Sequence, residues 1–255
     1  MEFLMNSFLF CTRSIFFTHP LSICCVGPEH VPTYHEWMKD PALLEATGSE
    51  PLSYEEEVDM QKSWKNDETK CTFIVHDAES CHYSGKSFES SAESDERKDN
   101  EFVVDENLDA MIGDVNLFLS EVDDSDESDT DENHAGTIEA DASQETTPAT
   151  PLIQAEVDIM IARQECQGKG LGRAATCAML LYGATQLNIH RFFCRINEDN
   201  VNSIRLFKAI GFVQCNYAAC FKQVELELRK PLPEMEEIFK EHGGSYSVIP
   251  CKKED

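Results

Sequence analysis

Apolar positions recur along this 255-residue chain with two different periods, and the switch between them marks its elements. The first regular segment, PEHVPTYHEWMKD, places Val31, Tyr34, Trp37 and Met38 on one face and predicts a helix over 29–39. A capping box follows: Ser53 is the N-cap and Glu56 stands three residues on, predicting a helix from there to about 65 that ends in Asn-Asp. KCTFIVHD (70–77) is β-branched and aromatic, hence a strand. AMIGDVNLFLSEV (110–122) carries Ile112, Val115, Leu117 and Leu119 on a second strand, with Gly113 at a bend. QAEVDIMIAR (154–163) alternates as a third. A helix over 170–186, a strand over 190–196, a helix over 201–212 closing on Gly211 and a last strand near 219–228 complete the pattern. A short helix is expected in the tail beyond Pro231. The second and third strands, joined only by a polar segment, are expected to be hairpin neighbours, because long loops close at small entropic cost. The expected fold is α/β: one domain over 29–230 with a mixed sheet, preceded by an apolar segment (1–28) and followed by a tail (231–255).

Charge changes this picture in two places. The chain has 48 acids and 21 bases, a net −27. Residues 121–145 hold eleven acids and no base; residues 77–109 hold eleven acids and three bases. These stretches carry −19 and leave −8 for the rest. Neither has the apolar content to offset chain entropy, so both are expected to be disordered insertions, bounded at about 78–109 and 121–151. Ser125, Ser128 and Thr130, set among acids, suit phosphorylation. A protein this acidic is not a general binder of nucleic acid or anionic membrane.

The eleven cysteines are scattered, odd in number and free of CxxC pairs, and no Cys/His spacing suits tetrahedral zinc. Free thiols in a reducing cytoplasm are expected, with no metal. The first 26 residues are apolar but interrupted by Asn, Arg, His and Pro, so no membrane span is expected. Their one early charge is Glu2, where a secretory leader would carry bases.

The chemistry is expected after the third strand, in IARQECQGKGLGR (161–173). Gly168, Gly170 and Gly172 let the backbone approach a ligand, and a helix begins there. Converging amides and the helix dipole favour a phosphate, and Lys169 and Arg173 add positive charge to an acidic protein. The spacing fits neither GxxxxGK[ST] nor GxGxxG. A tight strand–helix turn with no ligand is the other reading of this segment alone.

The string Gln167-x-x-Gly170-x-Gly172 resembles the pyrophosphate motif (Q/R)xxGx(G/A) of the GNAT acetyltransferases. About 30 residues on, Asn200-Val-Asn-Ser203-Ile-Arg-Leu-Phe207-Lys-Ala-Ile-Gly211-Phe212 is similar to their second signature, NxxSIxL(Y/F)xxxGF. The likeness narrows to the N-acetyltransferase 9 branch through EHVPTYHEWMKD, SEPLSYEEEVDMQKSW, KCTFIV, MIGDVNLFL and EVDIMIA-x5-GKGLG, and covers about 29–76 and 110–228. Residues 1–26 do not match that branch's first strand. Only Ser22–Val26 can take its place, which implies a weakened sheet edge.

The resemblance implies the GNAT fold, acetyl-CoA as co-substrate and acetyl transfer to the N-terminal residues of α- and β-tubulin. It implies that strand 155–161 parts from its neighbour to pair with pantetheine through the main chains of Ile159 and Ile161. It implies that the pyrophosphate rests on residues 167–173, including Leu171. Glu156 and Asp158, two apart on a strand, share a face. Either can serve as general base, or they are exposed strand acids or partners of Lys or Arg. Phe207 stands where many members carry a tyrosine that protonates the leaving thiolate. Asn200 and Ser203 remain as donors near the sulfur, unless Asn200 simply caps its helix through the Ser203 amide. His190 reads as a strand-edge residue, and Trp37 and Trp64 as core or cleft-wall residues. The rival functional reading is a catalytically weak GNAT-fold protein that binds tubulin, microtubules or basic partners.

Overall fold

The computed structural model describes residues 14–18, 21–81, 83–84, 101–102, 104–122, 152–229, 232–242 and 246–250. Its elements in chain order are β1 (Ser14–Thr18), β2 (Leu21–Cys25), α1 (Val31–Trp37), α2 (Pro41–Thr47), α3 (Tyr54–Asn66), β3 (Lys70–Asp77), β4 (Tyr83–Ser84) and β5 (Glu101–Phe102). Then come β6 (Met111–Glu121), β7 (Ile153–Ile161), α4 (Leu171–Gln186), β8 (Ile189–Asn197), α5 (Val201–Ile210), β9 (Val213–Ala218), β10 (Gln223–Leu228), α6 (Leu232–His242) and β11 (Tyr246–Pro250). Nine strands form one sheet in the order β11-β1-β2-β3-β6-β7-β8-β10-β9. Only β7 and β8 run parallel, so the sheet is mixed, as expected.

Period-two alternation builds the core. Leu21 and Ile23, Phe73 and Val75, Val115 and Leu117, Ala155 and Val157, Phe192 and Cys194, and Leu226 and Leu228 are buried on one face under α4. Each large side chain so buried contributes about 1.5–3 kcal/mol. Ile112 is buried with them although it stands three residues before Val115. The β3–β6 register shifts there, Val75 facing Gly113 and His76 facing Met111, so one extra residue restores the phase. Gly113 lies at that irregularity for a steric reason: a Cβ there would overlap the Met160 carbonyl of β7. On the other face, α1 and α2 pack through Tyr34, Trp37, Met38 and Leu43 on Met160 and Ala162. The capping box forms as expected, Ser53 Oγ accepting from the Glu56 N–H and Glu56 Oε2 from the Ser53 N–H.

Several elements differ from expectation. Leu21–Cys25 takes the place of the missing first strand against β3, but β1 and β11 extend the sheet beyond it, so it is no edge. The tail is not an appendage: Met235, Ile238 and Phe239 of α6 join the main core. A helix not foreseen, α2, is set by the Asp40 N-cap and by Gly48 in the left-handed region. The final strand is a hairpin, β9 and β10, with its turn over 219–222. The first insertion ends in a short helical turn, Asp105–Ala110, that buries Asn107 and Ala110. Ser125, Ser128 and Thr130 lie outside the described residues. Cys166, Cys177 and Cys194 are buried free thiols, and Cys215 and Cys220 are exposed ones. No helix among those residues is long and apolar enough to cross a membrane.

Candidate functional site

The sheet opens between β7 and β8. Their ladder runs only from Ile153/Ile189 to Glu156/Phe193, while β7 continues to Ile161 along β6 and β8 to Asn197 along β10. The Ala162 N–H donates to the Ile112 carbonyl (2.8 Å). Hydrogen-bonded positions alternate along an antiparallel pair, so the main-chain groups of Val157, Ile159 and Ile161 point away from β6, into this gap. Two of them meet side chains: the Ile159 N–H donates to Asp158 Oδ1 (2.9 Å), and Gln167 Nε2 donates to the Ile161 carbonyl (2.8 Å).

The glycine-rich turn lies at the end of β7. Gly168 and Gly170 have φ of 72° and 84°, conformations that glycine adopts readily, and residues 167–170 are exposed. The first intrahelical bond of α4 runs from the Ala174 N–H to the Gly170 carbonyl, which leaves the amides of Leu171, Gly172 and Arg173 ahead of the helical ladder. The Gln167 amide is taken by the Gln164 carbonyl (3.1 Å). Gly172 serves packing: a Cβ there would lie 3.2 Å from Leu206 Cδ1 and 3.4 Å from Ile161 Cγ1. Lys169 is exposed, and Arg173 keeps its Nε buried without a hydrogen-bond partner in the protein. Open amides and a buried cationic nitrogen at a helix start suit the pyrophosphate of an acyl-CoA.

Polar side chains cover the sheet beside the gap. Glu156 is engaged: Arg195 Nη1 donates to it at 2.8 Å, and Arg195 also reaches Glu225. Burial still raises its pKa, with the arginine opposing. Asp158 has no charged partner within bonding distance among the described residues. It is exposed to solvent yet crowded by surrounding protein, and that crowding raises its pKa. Across the ladder Asn116 faces Asp158, accepts from Thr72 Oγ1 (2.6 Å) and donates to Asp114 Oδ2 (2.6 Å). Asp114 is buried with Oδ1 unpartnered. Burial first, then the Asp158 charge, pushes its pKa up to about 7. Lys70 Nζ sits 3.2 Å from the Trp64 ring centroid and 4.6 Å from that of Phe118, and burial lowers its pKa to about 8. Tyr34, raised by burial and then by Asp114 and Asp158, stays a neutral phenol. With Trp64, Gln61 and Thr72 it lines a small recess between α1, α3 and β3.

The second motif is more structural than chemical. Asn200 Oδ1 accepts from the Ser203 N–H (3.2 Å) and caps α5. Phe207 is buried edge-on against Phe212, with centroids 5.0 Å apart. His190 is exposed on β8, and Trp64 is a wall of the recess. Thus the fold brings Asp158, Ile159, Ile161, Gln167 and the 168–173 loop to one opening, ties Glu156 to Arg195 and uses Asn200 as a cap. Sequence reasoning missed Asp114, Asn116, Thr72, Lys70 and Tyr34. One signal was available: Asp114 and Asn116 alternate with apolar residues on a strand that is buried on both faces.

Comparison with known proteins agrees with this geometry. The family model described as the acetyltransferase (GNAT) domain matches residues 25–213. A human protein named alpha/beta-tubulin-N-acetyltransferase 9 is 37% identical over 201 residues, covering 78% of this chain and 75% of its own length. The Drosophila melanogaster protein of that name is 37% identical over 200 residues, 78% of each chain. Among solved structures, spermidine N-acetyltransferase from Vibrio cholerae, in complex with CoA and spermine, superposes with a TM-score of 0.55 at 17% identity, over 86% of this chain and 99% of that one. This chain therefore belongs to the GNAT acetyltransferase family, in its N-acetyltransferase 9 branch, and is an N-acetyltransferase.

Proposed function

We propose that the chain transfers the acetyl group of acetyl-CoA to the N-terminal amines of α- and β-tubulin in the cytoplasm. The observation that carries this reading is the opening between β7 and β8, where Asp158 Oδ1 accepts from the Ile159 N–H and the glycine-rich turn follows the end of β7. Acetyl-CoA supplies an activated thioester and a thiol leaving group. The amides of residues 168–173, with Lys169 and Arg173, would hold its pyrophosphate, and the main chains of Ile159 and Ile161 its pantetheine arm. The Ile159 N–H, aimed into the gap and held by Asp158 Oδ1, is a donor of the oxyanion-hole type once the incoming thioester carbonyl takes that contact. Asp158, its pKa raised by burial and its side chain exposed, takes a proton from the incoming amine, and Glu156 is set aside by its arginine. An α-amine titrates near pH 7.7–8.0, far below a lysine, so a weak carboxylate base suffices. Phe207 offers no proton, which leaves the Ser203 hydroxyl, in the first turn of α5, to serve the departing thiolate. The tubulin assignment rests on the names of the relatives. The acidic cleft suits a cationic amine, and the chain's net −27 disfavours a nucleic-acid partner.

Peptides bearing the two tubulin N-termini, incubated with radiolabelled acetyl-CoA and analysed by fragment-ion mass spectrometry, test the proposal. Label on the α-amine is expected, with kcat reduced about 10²–10⁴-fold in Asp158→Asn and unchanged binding of CoA by calorimetry. Label confined to internal lysines would refute the substrate, and full turnover in Asp158→Asn would refute the base.

A further inference from the structure

A second cluster lies on the same sheet face, away from the gap. β2 and β3 pair with Ser22 opposite His76 and Cys24 opposite Ile74, so Cys24 and His76 are diagonal neighbours on one face. The turn after β2, through Gly27, brings His30 back over them. All three side chains are fully buried. Their ligand atoms lie within 4.8 Å of one another. Cys24 Sγ is 3.6 Å from His30 Nε2.

We infer that Cys24, His30 and His76 form a binding site for a thiophilic divalent cation of the zinc class. Zn–S near 2.3 Å and Zn–N near 2.0–2.1 Å at a tetrahedral angle put sulfur and nitrogen about 3.6 Å apart, the separation already present between Cys24 and His30. The widest edge contracts by at most about 1.5 Å to fit that geometry. One thiolate and two imidazoles are a donor set that favours zinc over magnesium or calcium. The His76 ring is buried beside that of His30, their centroids 6.0 Å apart. Main-chain groups of Ser22 and Ile74 face its ring, the outer contact that orients a ligating histidine.

His30 has such a partner too. Its Nδ1 accepts from the Gly27 N–H (2.8 Å), and Glu29 Oε1 is 3.7 Å away. Ligation through Nε2 moves the ring proton to Nδ1, which exchanges the Gly27 contact for the Glu29 carboxylate. Glu29 then offsets the single positive charge left by a dication and one thiolate. Its carboxylate lies directly over Gly27, in the space a Cβ there would take. Three protein ligands leave one position for water.

The full chain, reduced and stripped of metal, is titrated with Co²⁺. One equivalent is expected to produce a thiolate-to-cobalt charge-transfer band and tetrahedral visible bands, both displaced by Zn²⁺. Cys24→Ser loses the charge-transfer band. Glu29→Gln, at a partly exposed position, keeps the spectrum and weakens affinity about 10–100-fold. Zn²⁺ is expected to raise the melting temperature of the parent chain, and to raise it less in Glu29→Gln at equal metal. No charge-transfer band, or an undiminished band in Cys24→Ser that reports another of the eleven cysteines, overturns the proposal. So does a Zn²⁺-dependent rise in melting temperature that is equal in the two chains.

Discussion

Replacing Asp114 with Asn should make the protein more stable at neutral pH and leave it little changed in acid. Asp114 is raised from 3.8 to about 7, chiefly because burial penalises its charge. In the unfolded chain the group titrates near its ordinary value. Between about pH 4 and pH 7 the folded state therefore holds a proton that the unfolded state has lost, and unfolding free energy falls as pH rises. The loss is complete above about pH 7 and amounts to ~4 kcal/mol at 1.36 kcal/mol per pH unit. Asparagine cannot ionise, and its side-chain oxygen can still accept from Asn116 Nδ2, which donates to Asp114 Oδ2 at 2.6 Å. The variant's advantage should thus grow by about 3 kcal/mol between roughly pH 5 and pH 8. Urea denaturation of both chains at the two pH values measures it, and melting curves should separate by roughly 5–10 °C at the higher pH. Parallel stabilities at both values would mean that Asp114 titrates as an ordinary carboxyl, and the reasoning about its burial would fall.

Other outcomes follow from the same geometry. Gly170→Ala places a side chain at φ of 84°, so calorimetry should show weaker CoA binding, and stability should fall by about 1–2 kcal/mol. Phe207→Tyr introduces a hydroxyl into a buried aromatic contact; it should lower stability by ~1–3 kcal/mol without raising turnover, as chemical denaturation and the transfer assay would show. Phe239→Ala should lose about 3–5 kcal/mol, because α6 belongs to the main core; a neutral result in urea would make the tail dispensable. Replacing residues 123–151 by a two-residue Asn-Gly turn should keep the fold and most of the turnover, since Glu121 faces Ile153 and the Val122 N–H donates to the Leu152 carbonyl (2.8 Å).

What was legible followed strict periodicity and local capping. QAEVDIMIAR alternates, and β7 is there; Ser53 and Glu56 cap α3; Gly211 ends α5 in the left-handed region. The glycines after β7 announced a turn, though not that Gly172 is needed against Leu206 and Ile161. What was not legible depends on neighbours remote in sequence. β9 shows no alternation because its side chains are mostly exposed, and only pairing with β10 makes it a strand. Two carboxylates on β7 looked equivalent until Arg195, 39 residues after Glu156, engaged one of them. Asp114 gained its unusual titration from burial beneath α1–α3 and from Asp158 on another strand. Nothing in the linear order of Cys24, His30 and His76 marks them as neighbours.

The pairing of β1 with β11 sets Ser14 opposite Pro250, so these two far-separated residues share one rung of the ladder. That adjacency makes the protein suited to circular permutation. A short linker from the end of β11 to the start of β1, with new termini opened between Val122 and Leu152, would preserve every described strand pairing. It would also place the chain ends at the start of β7, where the ladder with β8 is closed, so a fused reporter would stand at the end of the strand away from the gap.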